Sequence, residues 1–253
     1  MKPLFLISND DGIHAKGLYA LIDLLRPHGD IAAVVPDSER SGTSTAFTMT
    51  HPLGYRLARQ EPGLTIWECN GTPADCVKIA LKLLLKERRP DFVFSGINHG
   101  YNGSVSIHYS GTLGVAQEGC MSGLPSVAFS LDNYDPDADF SQVLPYVEKI
   151  ALNVIRHGLP PFVSLNVNLP PGRPAGMRIC RQGAGRFEAD FSPCPHPKRP
   201  GLYWQFGHFV NLEPADSTDD DLKARAEGYV SIVPQQIDAT AYAAMDMLKK
   251  WEW

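Results

Sequence analysis

The apolar and polar positions of the first 130 residues form a repeating pattern of short strands and amphipathic helices. Apolar runs of strand length, such as residues 4–7 and 31–35, alternate with longer stretches in which apolar residues recur at helical spacing. This order is typical of βαβ units on a parallel sheet, so we predict an α/β fold. The predicted strands are 4–7, 31–35, 92–94, 126–129 and 162–167, and the predicted helices are 17–25, 74–86, 112–121 and 140–157.

The pattern changes in two places. Residues 54–57 and 64–68 look like a small antiparallel pair, and after residue 170 the chain becomes rich in Pro, Gly and charge. The later strand-like pieces are too short to be stable alone, which predicts an extension that leans on the core or on another subunit. The predicted units are a Rossmann-like catalytic core over 1–171, an extended β-rich arm for subunit exchange over 172–235, and a C-terminal helix over 236–253. The strands predicted in the arm lie near 177–181, 202–206 and 229–233.

Composition narrows the class of partner. The 253 residues are 43% hydrophobic and carry a formal net charge of −5, with a pI near 5.9. A nucleic-acid-binding protein usually presents a basic face, so nucleic acid is not an expected partner. No apolar run approaches the roughly 20 residues needed to span a bilayer, and no signal-peptide pattern precedes the first strand. We therefore expect a cytoplasmic protein with no membrane partner.

Two adjacent carboxylates give the strongest chemical signal in the chain. Asp10 and Asp11 directly follow the first predicted strand and precede Gly12. Ligands of open parallel sheets bind beyond the carboxyl ends of the strands, where neighbouring carboxylates repel each other unless a cation neutralises them. This favours a divalent metal site. The alternative is a solvated turn that caps the helix beginning near Lys16.

Two more loops are expected at the same edge of the sheet. Residues 36–51 and 95–110 follow predicted strands and are longer than usual connections, which indicates a functional role. They supply a hydroxyl at Ser41 and an amide oxygen at Asn98, and oxygen ligands suit Mg²⁺ or Mn²⁺. The five cysteines form no C-x-x-C pair and no His cluster accompanies them, which argues against zinc.

The triplet Ser110-Gly111-Thr112 stands just before a predicted helix. Its hydroxyls and free backbone N–H groups could hold a phosphate at the positive end of that helix. Ser110 could equally be a simple N-cap. From spacing alone, both interpretations stay open.

Several motifs match one known family in order and in separation. The chain resembles the SurE family, the stationary-phase survival proteins that act as 5′/3′-nucleotidases, and the match covers nearly the whole sequence. The matching segments are 8–13 (SNDDGI), 36–37 with 40–42 (PD, RSG), 71–77 (GTPADCV), 95–102 (SGINHGYN) and 109–112 (YSGT), followed by 123–125, 165–168, 203–204, 218–219 and 228–232.

The resemblance implies a metal-dependent phosphohydrolase of nucleoside 5′- and 3′-monophosphates on a Rossmann-like core. By this resemblance, one Mg²⁺ or Mn²⁺ ion per subunit is held at the positions of Asp10, Asp11, Ser41 and Asn98, with Asp10 and Asp11 as the catalytic residues. Such an ion withdraws charge from the phosphoryl oxygens and activates the attacking water. The implied phosphate- and substrate-binding residues are Asn9, Gly42, Asn102, Ser110, Gly111 and Thr112.

The family also exchanges its C-terminal extension in a homodimer, often doubled to a tetramer. This implied assembly agrees with the predicted arm over 172–235. One departure from the family is Tyr242, where some members carry a histidine, so a subunit contact through that ring is not expected here.

Two other classes of function stay open. A metal-dependent deacetylase also pairs aspartates but usually adds histidine ligands, and a nucleotide or metal sensor would bind without turnover. His14, His99 and His108 lie near the site in sequence, with a packing role as the default interpretation. Aromatic residues that could stack a base, but more often anchor a core or an interface, are Trp67, Tyr203, Trp204 and Phe206.

Overall fold

A computed structural model describes residues 2–252. It contains six α-helices within that range, together with a π-helical turn at Ala80–Leu84 and a 3₁₀ segment at Ser104–His108. The strands are β1 (Leu4–Ser8), β2 (Asp30–Pro36), β3 (Tyr55–Glu61), β4 (Leu64–Cys69), β5 (Phe92–His99), β6 (Ser126–Leu131), β7 (Val163–Leu169), β8 (Met177–Ile179), β9 (Gly185–Pro193), β10 (Tyr203–Asn211) and β11 (Val230–Gln236). The helices are α1 (Lys16–Leu25), α2 (Pro73–Ile79), α3 (Gly111–Met121), α4 (Leu144–His157), α5 (Asp221–Ala226) and α6 (Tyr242–Leu248).

A nine-stranded sheet in the order β3-β4-β2-β1-β5-β6-β7-β11-β8 forms the centre of the protein. The six strands from β4 to β7 in this order are mutually parallel. Strand β3 is antiparallel to β4 and β11 is antiparallel to β7, whereas β8 runs parallel to β11. The predicted α/β fold with a mostly parallel sheet is therefore confirmed.

Helices cover both faces of this sheet. Side chains of successive strand residues point to opposite faces. Accordingly, Phe5 and Ile7 of β1 belong to one apolar cluster with residues of α1 and α4, whereas Leu6 belongs to a second cluster with residues of α2 and α3. The rings of Phe5, Phe94 and Phe129 are fully buried at the first of these faces. The sheet is thus a rigid support from which the loops at the strand ends project.

Some predicted boundaries are wrong. The helix predicted over 74–86 ends at Ile79 and continues only as the π-helical turn. The helix predicted from residue 140 begins at Leu144, with Pro145 in its first turn, where proline is well tolerated. The final helix is shorter than predicted, because α6 covers only Tyr242–Leu248.

The predicted arm over 172–235 is divided between two sheets. Strands β8 and β11 join the central sheet, with Ser231 opposite Asn168 of β7. Strand β9 was not predicted, although its alternation of charged and aromatic residues from Arg186 to Phe191 has the two-residue period of a strand. It pairs with β10 as a two-stranded antiparallel hairpin, hereafter the β9–β10 hairpin. Exchange of this hairpin between subunits stays a prediction.

Within residues 2–252, no helix combines the length and the apolar character that crossing a bilayer requires.

Candidate active site

The three predicted loops converge beyond the carboxyl ends of β1, β2 and β5. The backbone N–H of Arg40 donates to the carbonyl of Asp10 at 2.7 Å, and that of Ile13 donates to Pro36 at 3.0 Å. The loop after β2 also reaches the loop after β5, because the N–H of Ser44 donates to the carbonyl of Tyr109 at 3.0 Å. Backbone hydrogen bonds therefore hold the loops in one fixed arrangement.

These loops surround a cavity of about 230 Å³, hereafter the Asp10 cavity. Six predicted site residues line it: Asp10, Ser41, Gly42, Asn98, Asn102 and Ser110. The lining residues that sequence reasoning did not assign to the site are His99, Gly100, Tyr101, Ser106, Tyr109, Tyr134 and Phe187.

Asp10 lies at the floor of the site and is only 3% exposed. The hydroxyl of Thr112 donates to its Oδ1. Gly111 makes this approach of α3 possible, because a Cβ at that position would come within 2.8 Å of Cβ of Asp10. Gly111 and Thr112 do not line the cavity. They place the first turn of α3 in contact with Asp10, whose carboxylate does line it.

Asp11 is half-buried beside Asp10, and its Oδ2 accepts a hydrogen bond from the backbone N–H of His99 at 3.2 Å. Burial raises the pKa of both carboxyl groups to about 6. The charge of Asp11 adds to the shift at Asp10, and the charge of Glu39 adds to that at Asp11. The buried Asp10 and the half-buried Asp11, both with raised pKa values, form a site that a cation stabilises.

Asn9 is fully buried and does not line the cavity. Its Nδ2 donates to the carbonyl of Gly12 at 3.0 Å, which holds the turn that carries both aspartates. Its Oδ1 is buried without a hydrogen-bond partner among the described residues. Most buried polar atoms in proteins are paired, so an ion or water is the natural partner of this oxygen.

Asn98 and Ser41, the two predicted neutral ligands, differ in burial and in hydrogen bonding. Asn98 is 7% exposed, and its Nδ2 donates to the carbonyl of Gly100 at 2.9 Å, which fixes the amide while its Oδ1 accepts no hydrogen bond within the described chain. Ser41 is exposed and donates to Oε1 of Glu39 at 2.8 Å. Asn98 is therefore a buried, preorganised oxygen ligand, whereas Ser41 is an exposed hydroxyl that keeps its oxygen lone pairs available while it donates to Glu39.

Ser110 is an N-cap, because its side chain accepts from the backbone N–H of Leu113 at 3.2 Å. It also lines the cavity, so the capping role and a place beside a phosphate are compatible. The first N–H groups of a helix have no partner within the helix. The N–H of Thr112 bonds to Asp10, which leaves the N–H of Gly111 for an anion.

Asn102 is fixed by the polar ends of β6 and β7. Its backbone N–H donates to Oδ1 of Asn168 at 2.8 Å, and its Nδ2 donates to Oγ of Ser130 at 2.9 Å. Asn166 in turn donates to the carbonyl of Asn102 at 2.8 Å. The asparagine run of β7 therefore positions a residue of the cavity wall.

Of the three histidines near the site in sequence, only His99 lines the cavity. Its Nδ1 lies 2.9 Å from the carbonyl oxygen of Asp135, and its ring packs edge-on against Phe140. A carbonyl can only accept, so Nδ1 carries the proton and Nε2 is left free. His14 and His108 are exposed outside the cavity lining.

The unassigned wall residues are mainly aromatic. Tyr109 precedes the recognised triplet directly and could have been found from that position, whereas Phe187 lies on the unpredicted β9 and Tyr134 on a polar loop. Tyr203, Trp204 and Phe206 are more than half exposed on the hairpin and lie outside the cavity lining. They are therefore not core residues of this chain, and their interpretation as interface anchors stays a prediction.

Comparison with known proteins gives a consistent result. The family described as "Survival protein SurE" matches residues 5–189. The protein named 5′-nucleotidase SurE from Bacteroides fragilis is 46% identical over 252 residues, which cover 99% of this chain and 98% of that protein. A protein of the same name from Phocaeicola vulgatus is 49% identical over 251 residues, with 99% and 97% covered.

The fold leads to the same family. The crystal structure of the SurE protein from Aquifex aeolicus superposes with a TM-score of 0.81 at 34% identity, and the match covers 98% of both chains. Since the family profile, nearly full-length relatives and the fold agree, the chain belongs to the SurE family.

Proposed function

We propose that this protein is a 5′-nucleotidase that hydrolyses nucleoside 5′- and 3′-monophosphates and requires one Mg²⁺ or Mn²⁺ ion per subunit. The names of its relatives support the reaction class. The observation that carries the proposal is the Asp10 cavity itself. The buried carboxylate of Asp10, the fixed amide of Asn98 and Ser110 at the start of α3 line it, and the half-buried Asp11 lies next to Asp10 outside the lining. No lysine or arginine is found among the described residues that line the cavity.

The donor atoms fit a hard divalent cation. The four proposed ligands offer only oxygen: they are Asp10, Asp11, Ser41 and Asn98. No cluster of three or more His, Cys, Asp or Glu side chains that could hold a metal occurs within residues 2–252, so the proposed site combines two carboxylates with neutral oxygens. A site with two carboxylates and neutral oxygens suits Mg²⁺ or Mn²⁺ better than Zn²⁺. The raised pKa values and the orphaned Oδ1 of Asn9 support the same conclusion, since each is relieved by positive charge.

When bound, the cation would neutralise phosphoryl charge and lower the pKa of a bound water towards about 7. The chain supplies the other requirements. In this proposal the side chains of Ser110 and Asn102, which line the cavity, orient the phosphate, and the N–H of Gly111 at the start of α3 adds a donor. Gly42, with φ of +75°, is a further lining residue of the same loop as Ser41. Because the described lining residues include no lysine or arginine, the proposed phosphate recognition depends on these neutral donors together with the metal.

The two alternatives make different demands on the site. A deacetylase-type centre needs more than one imidazole ligand, and the described residues that line the cavity include a single histidine, His99. A sensor would bind a nucleotide without releasing phosphate. Neither alternative has a specific observation in its favour.

The β9–β10 hairpin supports a proposal about assembly. Its side chains Phe191, Tyr203, Trp204 and Phe206 are 57%, 59%, 69% and 54% exposed. Such a concentration of exposed aromatics on one two-stranded element marks an interface. We therefore extend the proposal to a homodimer, or a tetramer built from it, in which the hairpin packs on another subunit. A cytoplasmic location stays a prediction.

A phosphate-release panel tests the function. Purified protein is assayed with the 5′- and 3′-monophosphates of the four common nucleosides, with Mg²⁺, Mn²⁺, Zn²⁺ or excess chelator. We expect release with Mg²⁺ or Mn²⁺ and none with chelator. Turnover that survives chelation would contradict the metal site, and nucleotide binding without any release would establish the sensor instead.

A further inference from the structure

Three exposed aromatic side chains line the otherwise polar Asp10 cavity: Tyr109, Tyr134 and Phe187, hereafter the aromatic rim. They are 58%, 73% and 44% exposed. Single exposed aromatics are normal on a protein surface, whereas three exposed rings around one small cavity form an apolar patch of the kind found at ligand-binding sites. The phosphate machinery does not account for them, because a phosphate ester needs no flat apolar surface.

The rings of Tyr109 and Phe187 form a corner. Their centroids are 6.1 Å apart and their planes meet at 74°. Phe187 is supported from behind by Phe209, its partner across the hairpin, at 5.6 Å and 72°. Tyr134 rests over Gly100, where a Cβ would come within 2.6 Å of the ring. Each ring is thus backed by the protein and keeps an exposed surface.

The corner is held together by a buried carboxylate. Asp221 accepts the N–H of Ser104 at 2.7 Å and the N–H of Gly183 at 2.8 Å. The hydroxyl of Ser104 also donates to the carbonyl of Gly183 at 2.7 Å. These bonds tie the root of the hairpin, which carries Phe187, to the segment that carries Tyr109. The corner is therefore preorganised, which reduces the cost of binding a ligand there.

We propose that the aromatic rim is a nucleobase subsite, in which the corner of Tyr109 and Phe187 stacks the base of the nucleotide. The inference rests on the proposed nucleotidase function and adds the part of the substrate that is recognised away from the phosphate. A sugar phosphate or a polyphosphate has no planar group to place there, and the described lining residues supply no lysine or arginine for extra phosphates. Stacking accepts every base, so the subsite favours nucleotides as a class over other phosphate esters.

The test compares two substrates that differ only by the base. AMP and ribose 5-phosphate carry the same ester at the same carbon, and kcat/KM is measured for both with the wild-type protein, Phe187→Leu and Tyr109→Leu. Leucine keeps apolar volume but cannot stack. We expect each variant to lose about 5- to 150-fold on AMP, the range of a lost stacking contact, and less than about twofold on ribose 5-phosphate. GMP, CMP and UMP should follow AMP.

Tyr55→Leu is the matched control, because Tyr55 lies on β3 outside the hairpin, is 46% exposed and is not in the cavity lining. This variant should leave kcat/KM unchanged for both AMP and ribose 5-phosphate. An equal loss on both substrates in Phe187→Leu, or no loss on AMP, would overturn the subsite. If the wild-type protein hydrolyses neither compound, the proposed function fails, and calorimetric binding of AMP against ribose 5-phosphate to the wild type and to Phe187→Leu then decides the subsite separately.

Discussion

The hydroxyl of Thr112 donates a hydrogen bond to Oδ1 of Asp10, although 102 positions separate the two residues in the chain. The bond joins the first turn of α3 to the end of β1. It lowers the pKa of Asp10 and so opposes the effect of burial, which is larger. The start of one helix therefore influences both the orientation and the charge of the carboxylate that we propose as a metal ligand.

Replacing Thr112 by valine should weaken metal binding. Valine keeps the shape of the side chain but removes the donor, so the pKa of Asp10 rises further and the charged form becomes less available. A hydrogen bond to a charged group contributes about 1.5 to 3 kcal/mol, which corresponds to about tenfold to a hundredfold in metal affinity. Mn²⁺ titration by calorimetry at pH 7 measures the loss. Thr112→Ser keeps the hydroxyl and should bind Mn²⁺ like the wild type; equal weakening in both variants would contradict this role.

Asp10→Asn and Asp11→Asn should each reduce phosphate release by about a hundredfold or more, because each removes charge that holds the cation. Neither change opens a cavity in the core. Without metal, both variants should melt a few degrees higher than the wild type, since a buried charge and its repulsion are removed. Phosphate release and thermal melts with and without Mn²⁺ provide the two measurements. Wild-type turnover in either variant would refute the metal assignment.

The stability of the metal-free protein should fall as pH rises from about 4 to about 6. Asp10 and Asp11 have pKa values near 6 in the fold against an ordinary value of 3.8, so the folded state binds more protons than the unfolded chain in this window. The free energy of unfolding therefore decreases with pH there and stays lowered above pH 6. Melts of the wild type against the Asp10→Asn/Asp11→Asn double variant isolate this effect, and parallel pH profiles would contradict it.

Metal affinity should rise as pH rises, because the cation binds the deprotonated carboxylates. Below about pH 6, affinity should fall by about tenfold to a hundredfold per pH unit, according to whether one or both groups must lose a proton. Mn²⁺ calorimetry in two buffers with different ionisation enthalpies reports the number of protons released. A constant affinity between pH 5 and pH 7 would show that these carboxyl groups do not hold the metal.

The central sheet could be predicted from sequence because its signals are local. Runs such as residues 4–7 and 31–35 are apolar on both faces, as expected of parallel strands covered by helices on both sides. The placement of Asp10, Ser41 and Asn98 around one cavity follows from that topology, since the carboxyl ends of parallel strands share an edge.

The structural features that could not be predicted from the sequence depend on contacts between segments that are far apart in the chain. Phe187 reaches the cavity only because Asp221 ties the hairpin root to Ser104, and nothing in the local sequence of any of these residues records that contact. Strand β9, which was not predicted, has mostly exposed side chains, so it lacks the buried face that makes a strand recognisable. Strand β11 was predicted as a strand, but its membership of the central sheet follows only from its pairing with β7.

Asn98→Ala should weaken metal binding more than Ser41→Ala does. Asn98 is buried with its amide fixed by Gly100, whereas Ser41 is exposed and bonded to Glu39. Both are proposed as neutral ligands, so raising the metal concentration should restore part of the rate in each variant. Ser38→Ala is a suitable control, because Ser38 lies in the same loop and bonds only to Asp37. If activity stays lost at millimolar Mn²⁺ while Mn²⁺ binding is normal, the residue contacts the substrate instead.

The β9–β10 hairpin should make the protein at least a homodimer. Its exposed aromatics leave it poorly stabilised within one chain, and a second subunit would bury them. Light scattering of the full chain at micromolar concentration should give at least twice the monomer mass of 27.8 kDa. Trp204→Ser with Phe206→Ser should shift the protein towards monomer, whereas Leu83→Ser, which changes a side chain that is 52% exposed outside the hairpin, should not. Because Gly185 pairs with Asn211, a short Gly-Ser turn can replace the hairpin without moving its ends, and that variant should be monomeric or insoluble.

A stable monomer of the full-length wild-type protein would refute the proposed interface while leaving the metal-site proposal unaffected.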